Sequence, residues 1–273
     1  MNPPRQPGPG HSQPGQLARV LSPAQLAAAD ALSSYYEKGG NPPTDAFSAL
    51  GFEDGLAIQC EMQRRAVAVG TVQAGWKVGL TSDRARAAAG IDDRPFGHVN
   101  RVLSSPADIP SAEINKVTVE PEMFFVIGKR IAGHGVDPAS VPERISAVCA
   151  GYEINEARVA VEGNLAMLVA DNLTNWAIVR GSGADAPPAA ELDRCVVTVL
   201  CDGEERFSCT AADEVDNPYL SIARLAATLH RHGLALEPGQ CVITGAYARF
   251  RAEAGQHWIT DYSGIGAVEA LVA

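Results

Sequence analysis

The sequence has no Cys-x-x-Cys pair, no His-Glu-x-x-His, no Gly-x-x-x-x-Gly-Lys-Ser/Thr loop and no Gly-x-Ser-x-Gly elbow. These absences set aside a structural zinc site, a zincin, a nucleotide-binding P-loop and an α/β-hydrolase nucleophile. No apolar run approaches the roughly 18 residues needed to cross a bilayer. The nearest candidates are LAMLVA (165–170) and MFFVI (123–127). Basic residues are also scarce: 22 Lys and Arg stand against 32 Asp and Glu, a net charge of −10. Such a chain suits neither nucleic-acid phosphates nor an anionic membrane surface. It still admits anionic substrates, because a bound divalent cation inverts the local field. His230 and His232 stand two apart at a helix end, so they share no helical face. The glycine-bearing GSGADA (181–186) opens no helix and makes no phosphate cradle. The N-terminus lacks an apolar signal core, so the expected location is cytoplasmic, with reduced thiols. The six cysteines, Cys60, Cys149, Cys195, Cys201, Cys209 and Cys241, read as small buried hydrophobes.

What is present suits a globular protein: 273 residues, 46% hydrophobic and 20% charged. Residues 2–16 are rich in Pro, Gly and Gln with almost nothing to bury. We therefore expect a disordered tail over 1–21 and a single catalytic domain over 22–273. Its part from about 22 to 90 reads as helical and its part from about 91 to 273 as β-rich. Ser22-Pro23 caps a helix that Gly39-Gly40 stops, and a second helix runs about 53–69. Residues 75–80 read as a strand, and Ser82 caps a short helix closed by Gly90. Residues 91–116 read as loop-rich and 117–128 as a strand. A short helix is expected over 141–149, then strands over 150–159 and 175–181. Residues 195–210 read as a hairpin turning at Asp202-Gly203. Asn217-Pro218 caps a helix to His232, and 241–246 and 267–272 close the chain as strands. Strands and helices do not alternate regularly, so the fold class is α+β with a large mixed sheet or β-roll.

The chemistry concentrates in three places. In Val119-Glu120-Pro121-Glu122-Met123 the two glutamates sit at i and i+2, so in a strand they project from one face. Two adjacent carboxylates repel unless a positive charge sits between them. Hard dications such as Mg²⁺ or Mn²⁺ want such ligands. Glu153 lies in a second strand-like segment and could complete a three-carboxylate site. Pro121 removes a ladder donor, which places this strand at an edge or bulge. A solvated polar face is the other reading. The second place is Lys77, one lysine in an apolar strand, which could bind an anionic substrate, move a proton, or simply snorkel. The third is Asp171-Asn172-Leu173-Thr174-Asn175, either a turn or a hydroxyl and amides lining a pocket.

These segments resemble, in order, those of the 2-hydroxypentadienoate (2-keto-4-pentenoate) hydratase and 4-oxalocrotonate decarboxylase family of the fumarylacetoacetate hydrolase superfamily. The carriers are GWKVGLTS (75–82), GIDDRPFG (90–97), VEPEMFF (119–125), GYEINEARV (151–159), VADNLT (169–174), PGQCVITGA (238–246) and GIGAVEA (264–270). The resemblance implies a mixed β-roll of the fumarylacetoacetate hydrolase C-terminal type with N-terminal helices. It implies Mg²⁺ or Mn²⁺ held by Glu120, Glu122 and Glu153. It gives catalytic places to Lys77, to Thr174, where relatives commonly carry Ser, and to Arg158. The implied activity is that of a metal-dependent lyase, hydratase or decarboxylase, acting on a small 2-hydroxydienoate or 2-oxoenoate through a dienolate. Alternatives are an acylpyruvate C–C hydrolase and an inactive member. A homo-oligomer is expected on the same ground. One departure stands out: hydratases typically read Pro-Asp-Phe-Gly where this chain has Arg94-Pro95-Phe96-Gly97.

Overall fold

The computed structural model describes residues 20–81, 86–87, 89–159 and 164–273. Most of the expected tail, and much of the helix expected after Ser82, therefore lie outside the described residues. Helix α1 (Pro23–Lys38) starts where the sequence says it should. Ser22 Oγ accepts from the Gln25 N–H while Gln25 Oε1 accepts from the Ser22 N–H, a reciprocal capping box with proline at the first turn. Gly39 ends the helix at φ 68°. The short α2 (Thr44–Phe47) and the longer α3 (Phe52–Ala68) follow. Ala28, Ala29 and Leu32 of α1 pack with Phe47, Ile58 and residues of α4 (Leu165–Ala170) in a small helical core.

Further helices among the described residues are α5 (Ala189–Arg194), α6 (Ala211–Glu214) and α7 (Pro218–Arg231), the last capped by Asn217. Among the described residues no helix is long and apolar enough to cross a membrane.

The strands are β1 (Gly75–Val78), β2 (Phe96–Val99), β3 (Val102–Ser104), β4 (Ala107–Ile109), β5 (Thr118–Ile127), β6 (Ile145–Asn155) and β7 (Asn175–Ala184), then β8 (Val196–Cys201), β9 (Glu204–Thr210), β10 (Cys241–Ile243), β11 (Phe250–Arg251), β12 (His257–Tyr262) and β13 (Gly266–Val272). They form two mixed sheets. One runs β2-β1-β10-β5-β6-β7-β3 with β11 also paired to β5, and the other runs β4-β13-β12-β8-β9. The first sheet curls until β2, at one edge, meets β7 near the other. The second sheet covers its outer face, with β12 and β13 against β6 and β7. The α+β roll with N-terminal helices is thus the observed architecture.

Three local expectations need correction. Residues 91–116, read as loop-rich with no strand picked out, hold the three short strands β2, β3 and β4, two of which pair with segments far along the chain. The helix expected over 141–149 is only a 3₁₀ turn at Pro142–Arg144, after which β6 begins at Ile145. Its apolar residues serve strand alternation beside β5, not a helical face. Pro121 lies in the middle of the sheet, not on an edge strand. It falls in a gap between β10, which pairs with Phe124–Val126, and β11, which pairs with Thr118 and Val119. In an antiparallel ladder a residue's N and O point to the same side. The Pro121 carbonyl accepts from the Tyr247 N–H across that gap, so the missing N–H costs β6 no bond.

Candidate metal centre

The β5–β6 register sets Glu120 directly opposite Glu153 and Glu122 opposite Gly151. Strand alternation then decides the faces. Val119, Met123 and Phe125 enter the main core with Tyr152 and Ile154, while the three glutamates turn into the roll. Carboxylate oxygens of Glu120, Glu122 and Glu153 lie within 4.8 Å of one another. Glu122 and Glu153 are only 2% and 1% exposed. On the core side of the same strands, Tyr262 Oη lies 3.0 Å from the carbonyls of both Glu122 and Gly151, which pins the pair.

Burial makes this cluster costly. It pushes the Glu120 carboxyl up to about 7, with the Glu153 charge adding to the effect. Burial, then the charges of Glu153 and Glu120, hold Glu122 well above the usual carboxylate range. One compensation is the Gly245 N–H, which donates to Glu122 Oε2 at 2.7 Å. Gly245 needs to be glycine: its φ is 133°, and a Cβ there would stand 2.7 Å from Thr81 Oγ1.

Lys77, on β1, is 5% exposed and pairs with Glu153 Oε1, while its Nζ also donates to the Leu173 carbonyl at 3.2 Å. It does not snorkel. Gly97 opposite it on β2 leaves the room: a Cβ there would meet Lys77 Cγ at 2.6 Å. Asn175 Nδ2 donates to the same Glu153 oxygen at 2.8 Å. Arg249, half exposed at the rim, stands 3.1 Å from Glu120 Oε1. One buried ammonium and one rim guanidinium do not balance three clustered carboxylates in a dry site. The donor set, all hard carboxylate oxygens, fits a hard divalent cation.

Thr174 and Arg158 sit differently. Thr174 Oγ1 lies 3.0 Å from the Asn155 side-chain amide. With that amide turned end for end, its nitrogen donates to Thr174 Oγ1 at 3.0 Å and to Glu153 Oε1 at 3.2 Å. The hydroxyl is therefore tied to a residue that supports Glu153. The Arg158 guanidinium bonds Asp171 Oδ1 at 2.9 Å, Glu156 Oε2 at 3.1 Å and the Asn175 carbonyl at 3.1 Å. Tyr36 Oη donates to the same Asp171 oxygen at 2.5 Å. Arg158 thus braces the backbone of Asn175 and connects to Glu153 through that residue.

Thr174 belongs to the turn that is one of the two readings of residues 171–175; what the sequence does not show is its left-handed backbone. Asn172, Leu173 and Thr174 all have left-handed backbones, with φ of 60°, 53° and 65°. Such a conformation costs about 1–2 kcal/mol for each residue with a Cβ. Asn172 Oδ1 accepts from the His98 N–H at 2.7 Å and its Nδ2 donates to the His98 carbonyl at 2.8 Å, so one amide pairs the free side of edge strand β2. A cavity of about 340 Å³ opens on the far side of this turn, lined by Gln59, His98, Asp171, Asn172 and Asn175 among others but by none of the three glutamates. Asn155 had a signal, since it follows Glu153 by two in the same strand. Gly245 and the Leu173 carbonyl had none, because they act through backbone atoms.

The acid expected before Phe96-Gly97 is not replaced from nearby. Asp93 ion-pairs with Arg231 at 2.7 Å on the surface, Asp92 is exposed, and Arg94 pairs with Asp216.

No family model matches the chain. It is 27% identical over 232 residues to a 2-keto-4-pentenoate hydratase of Paraburkholderia xenovorans (strain LB400), covering 83% of this chain and 86% of that one. It is 28% identical over 208 residues to a 4-oxalocrotonate decarboxylase of a Pseudomonas species, covering 75% and 80%. The 4-oxalocrotonate decarboxylase from Pseudomonas putida G7, solved with magnesium and adipate, superposes with a TM-score of 0.84 at 23% identity, over 91% of this chain and 97% of that one. By sequence this chain is similar to the 2-keto-4-pentenoate hydratases and 4-oxalocrotonate decarboxylases, and it shares the fold of the solved decarboxylase.

Proposed function

We propose that the chain is a divalent-metal-dependent lyase acting on a small 2-hydroxydienoate or 2-oxoenoate, with Glu120, Glu122 and Glu153 holding Mg²⁺ or Mn²⁺. The observation that carries this reading is the buried carboxylate trio facing Lys77, a charge arrangement that a hard cation would relieve. When bound, the ion supplies Lewis acidity toward the oxygens of a 2-oxo acid. The chain's own groups do the rest. Asn175 and the Gly245 N–H orient the Glu153 and Glu122 oxygens, as partners of metal-ligating carboxylates do. Lys77 Nζ, beside Glu153, would neutralise the substrate carboxylate or move a proton to or from the dienolate. Arg158 and Thr174 act behind these groups by fixing Asn175 and Asn155.

Two outcomes share that dienolate. A hydratase protonates the far carbon and adds water in conjugation with the carbonyl. A decarboxylase lets the same conjugated system accept electrons as carbon dioxide leaves the far end. Pro95 in place of the usual acid, with Asp93 drawn away to Arg231, leaves no evident carboxylate to manage the added water and favours decarboxylation. The family resemblance also leads us to propose a homo-oligomer.

The test is product analysis with 2-hydroxypentadienoate and 4-oxalocrotonate, with Mg²⁺ and with excess chelator. Carbon dioxide release from 4-oxalocrotonate is expected. It should fall at least about 10³-fold in chelator and in Glu122→Gln, whose circular dichroism stays native. Full turnover in chelator would sink the proposal.

A further inference from the structure

We propose that Asn172 is a positioning residue. Its amide, clamped on both backbone groups of His98, holds the left-handed turn that aims the Leu173 carbonyl at Lys77 and the Asn175 amide at Glu153. This inference rests on reading the three carboxylates as a metal centre.

The described residues include six non-glycine positions with positive φ: Leu80, Lys116, Asn172, Leu173, Thr174 and Asp202. Leu80 follows the end of β1 directly, and Leu173, with Asn172 and Thr174 on either side of it in the chain, packs on Gly79 there. Such outliers persist only where neighbouring structure over-determines them, and they cluster at functional sites. If the chain merely had to turn here, glycine would do so without steric cost. Instead Asn opens the run, and Leu and β-branched Thr, which tolerate this region worst, complete it.

Each side chain has a tether that explains its presence. Asn172 makes two hydrogen bonds to His98, at 2.7 and 2.8 Å. Leu173 is buried, its methyl closing the space beside Gly79. Thr174 bonds the Asn155 amide, and its carbonyl accepts from the Glu156 N–H at 2.9 Å. The products of the turn are two partners for the Lys77–Glu153 pair: the Leu173 carbonyl at 3.2 Å from Nζ and Asn175 Nδ2 at 2.8 Å from Oε1. A regular right-handed turn over the same residues would point both elsewhere.

The experiment compares the full chain with Asn172→Gly and Asn172→Ala. Mn²⁺ is titrated into metal-free protein by calorimetry, the metal-free proteins are melted, and kcat and KM are measured. Asn172→Gly keeps the left-handed backbone and loses the clamp. It is expected to melt above Asn172→Ala, to bind Mn²⁺ about tenfold more weakly than the full chain, and to lose at least tenfold in kcat with KM within threefold. If the turn needs only a residue that tolerates positive φ, Asn172→Gly will bind Mn²⁺ and turn over like the unsubstituted chain, and the clamp is overturned. Should Asn172→Gly not fold, Asn172→Asp carries the same test. It keeps the acceptor for the His98 N–H, loses the donor to its carbonyl, and should bind Mn²⁺ at least threefold more weakly; unchanged affinity overturns the clamp. An unsubstituted chain that binds no Mn²⁺ overturns the metal centre instead, so the two failures are distinguishable.

Discussion

The two faces of β5 obey opposite rules. Residues 119, 123 and 125 enter a dry core, where Val119, Met123 and Phe125 are fully buried among apolar and aromatic side chains. Residues 120 and 122, on the other face of the same strand, place carboxylates side by side in a site nearly as dry. One face lowers the free energy of the fold by burial. The other raises it, through desolvated charge and through three left-handed residues next door. A strand can carry such a face because the opposite one anchors it, with Tyr262 and Tyr152 tying it to the second sheet. Proteins break the local rules mainly where function requires it.

The largest effect should come from the anchoring face. Phe125 is fully buried and packs edge-on against Tyr219 of α7, with ring centroids 5.9 Å apart. Phe125→Ala should cost about 3–5 kcal/mol in urea unfolding, while the fraction still folded binds Mn²⁺ with native affinity. A loss of metal affinity there would mean that the two faces are not independent. Next comes the charged face. Mg²⁺ at about 100 times its dissociation constant should stabilise the protein by about 2.7 kcal/mol. Glu122→Gln should abolish that gain, yet in metal-free buffer it should melt no lower than the unsubstituted protein, because it removes one of three repelling carboxylates. A metal-free Glu122→Gln that melts well below it would show that the trio is net stabilising without a cation.

The sequence revealed these faces unequally, for physical reasons. The i, i+2 spacing of Glu120 and Glu122 follows from strand alternation alone, so both appear on one face as expected. The Ser22-Pro23 cap, the Asp202-Gly203 hairpin and the Asn217 cap are local devices, and they stand where local chemistry puts them. What stayed hidden depends on distant partners. β3 exists because β7, some 70 residues on, offers a parallel edge, and β4 exists because β13 does. Pro121 looked like an edge residue because a sequence does not show that two short strands can flank one position and leave a gap. The left-handed run at Asn172–Thr174 contradicts the propensities of its own residues. It is set by His98, Asn155 and Gly79, which come from three other segments. Arg158 entered through its place after Glu153 in the family pattern; in the fold its guanidinium bonds Asp171 and the Asn175 carbonyl, contacts that no local pattern shows.

A smaller effect tests whether the edge strand beneath that turn belongs to the dry face. His98 is 3% exposed, stacks on Trp76 with centroids 4.8 Å apart, and neither ring nitrogen has a partner among the described residues. Burial alone pushes its pKa down to about 3. A base with a lowered folded pKa binds fewer protons folded than unfolded between about 3 and the unfolded value of about 6.5. Its stability contribution is therefore intact above pH 6.5 and is lost as the pH falls below it. Glu120 and Glu122, raised in the metal-free protein, act with the opposite sign, so the informative comparison is with His98→Phe, which keeps both. Between pH 6.5 and 5.5 the unsubstituted protein should lose about 1 kcal/mol relative to that variant. Equal slopes in the two proteins would mean that His98 titrates freely, and that the edge of the roll is wetter than its packing indicates.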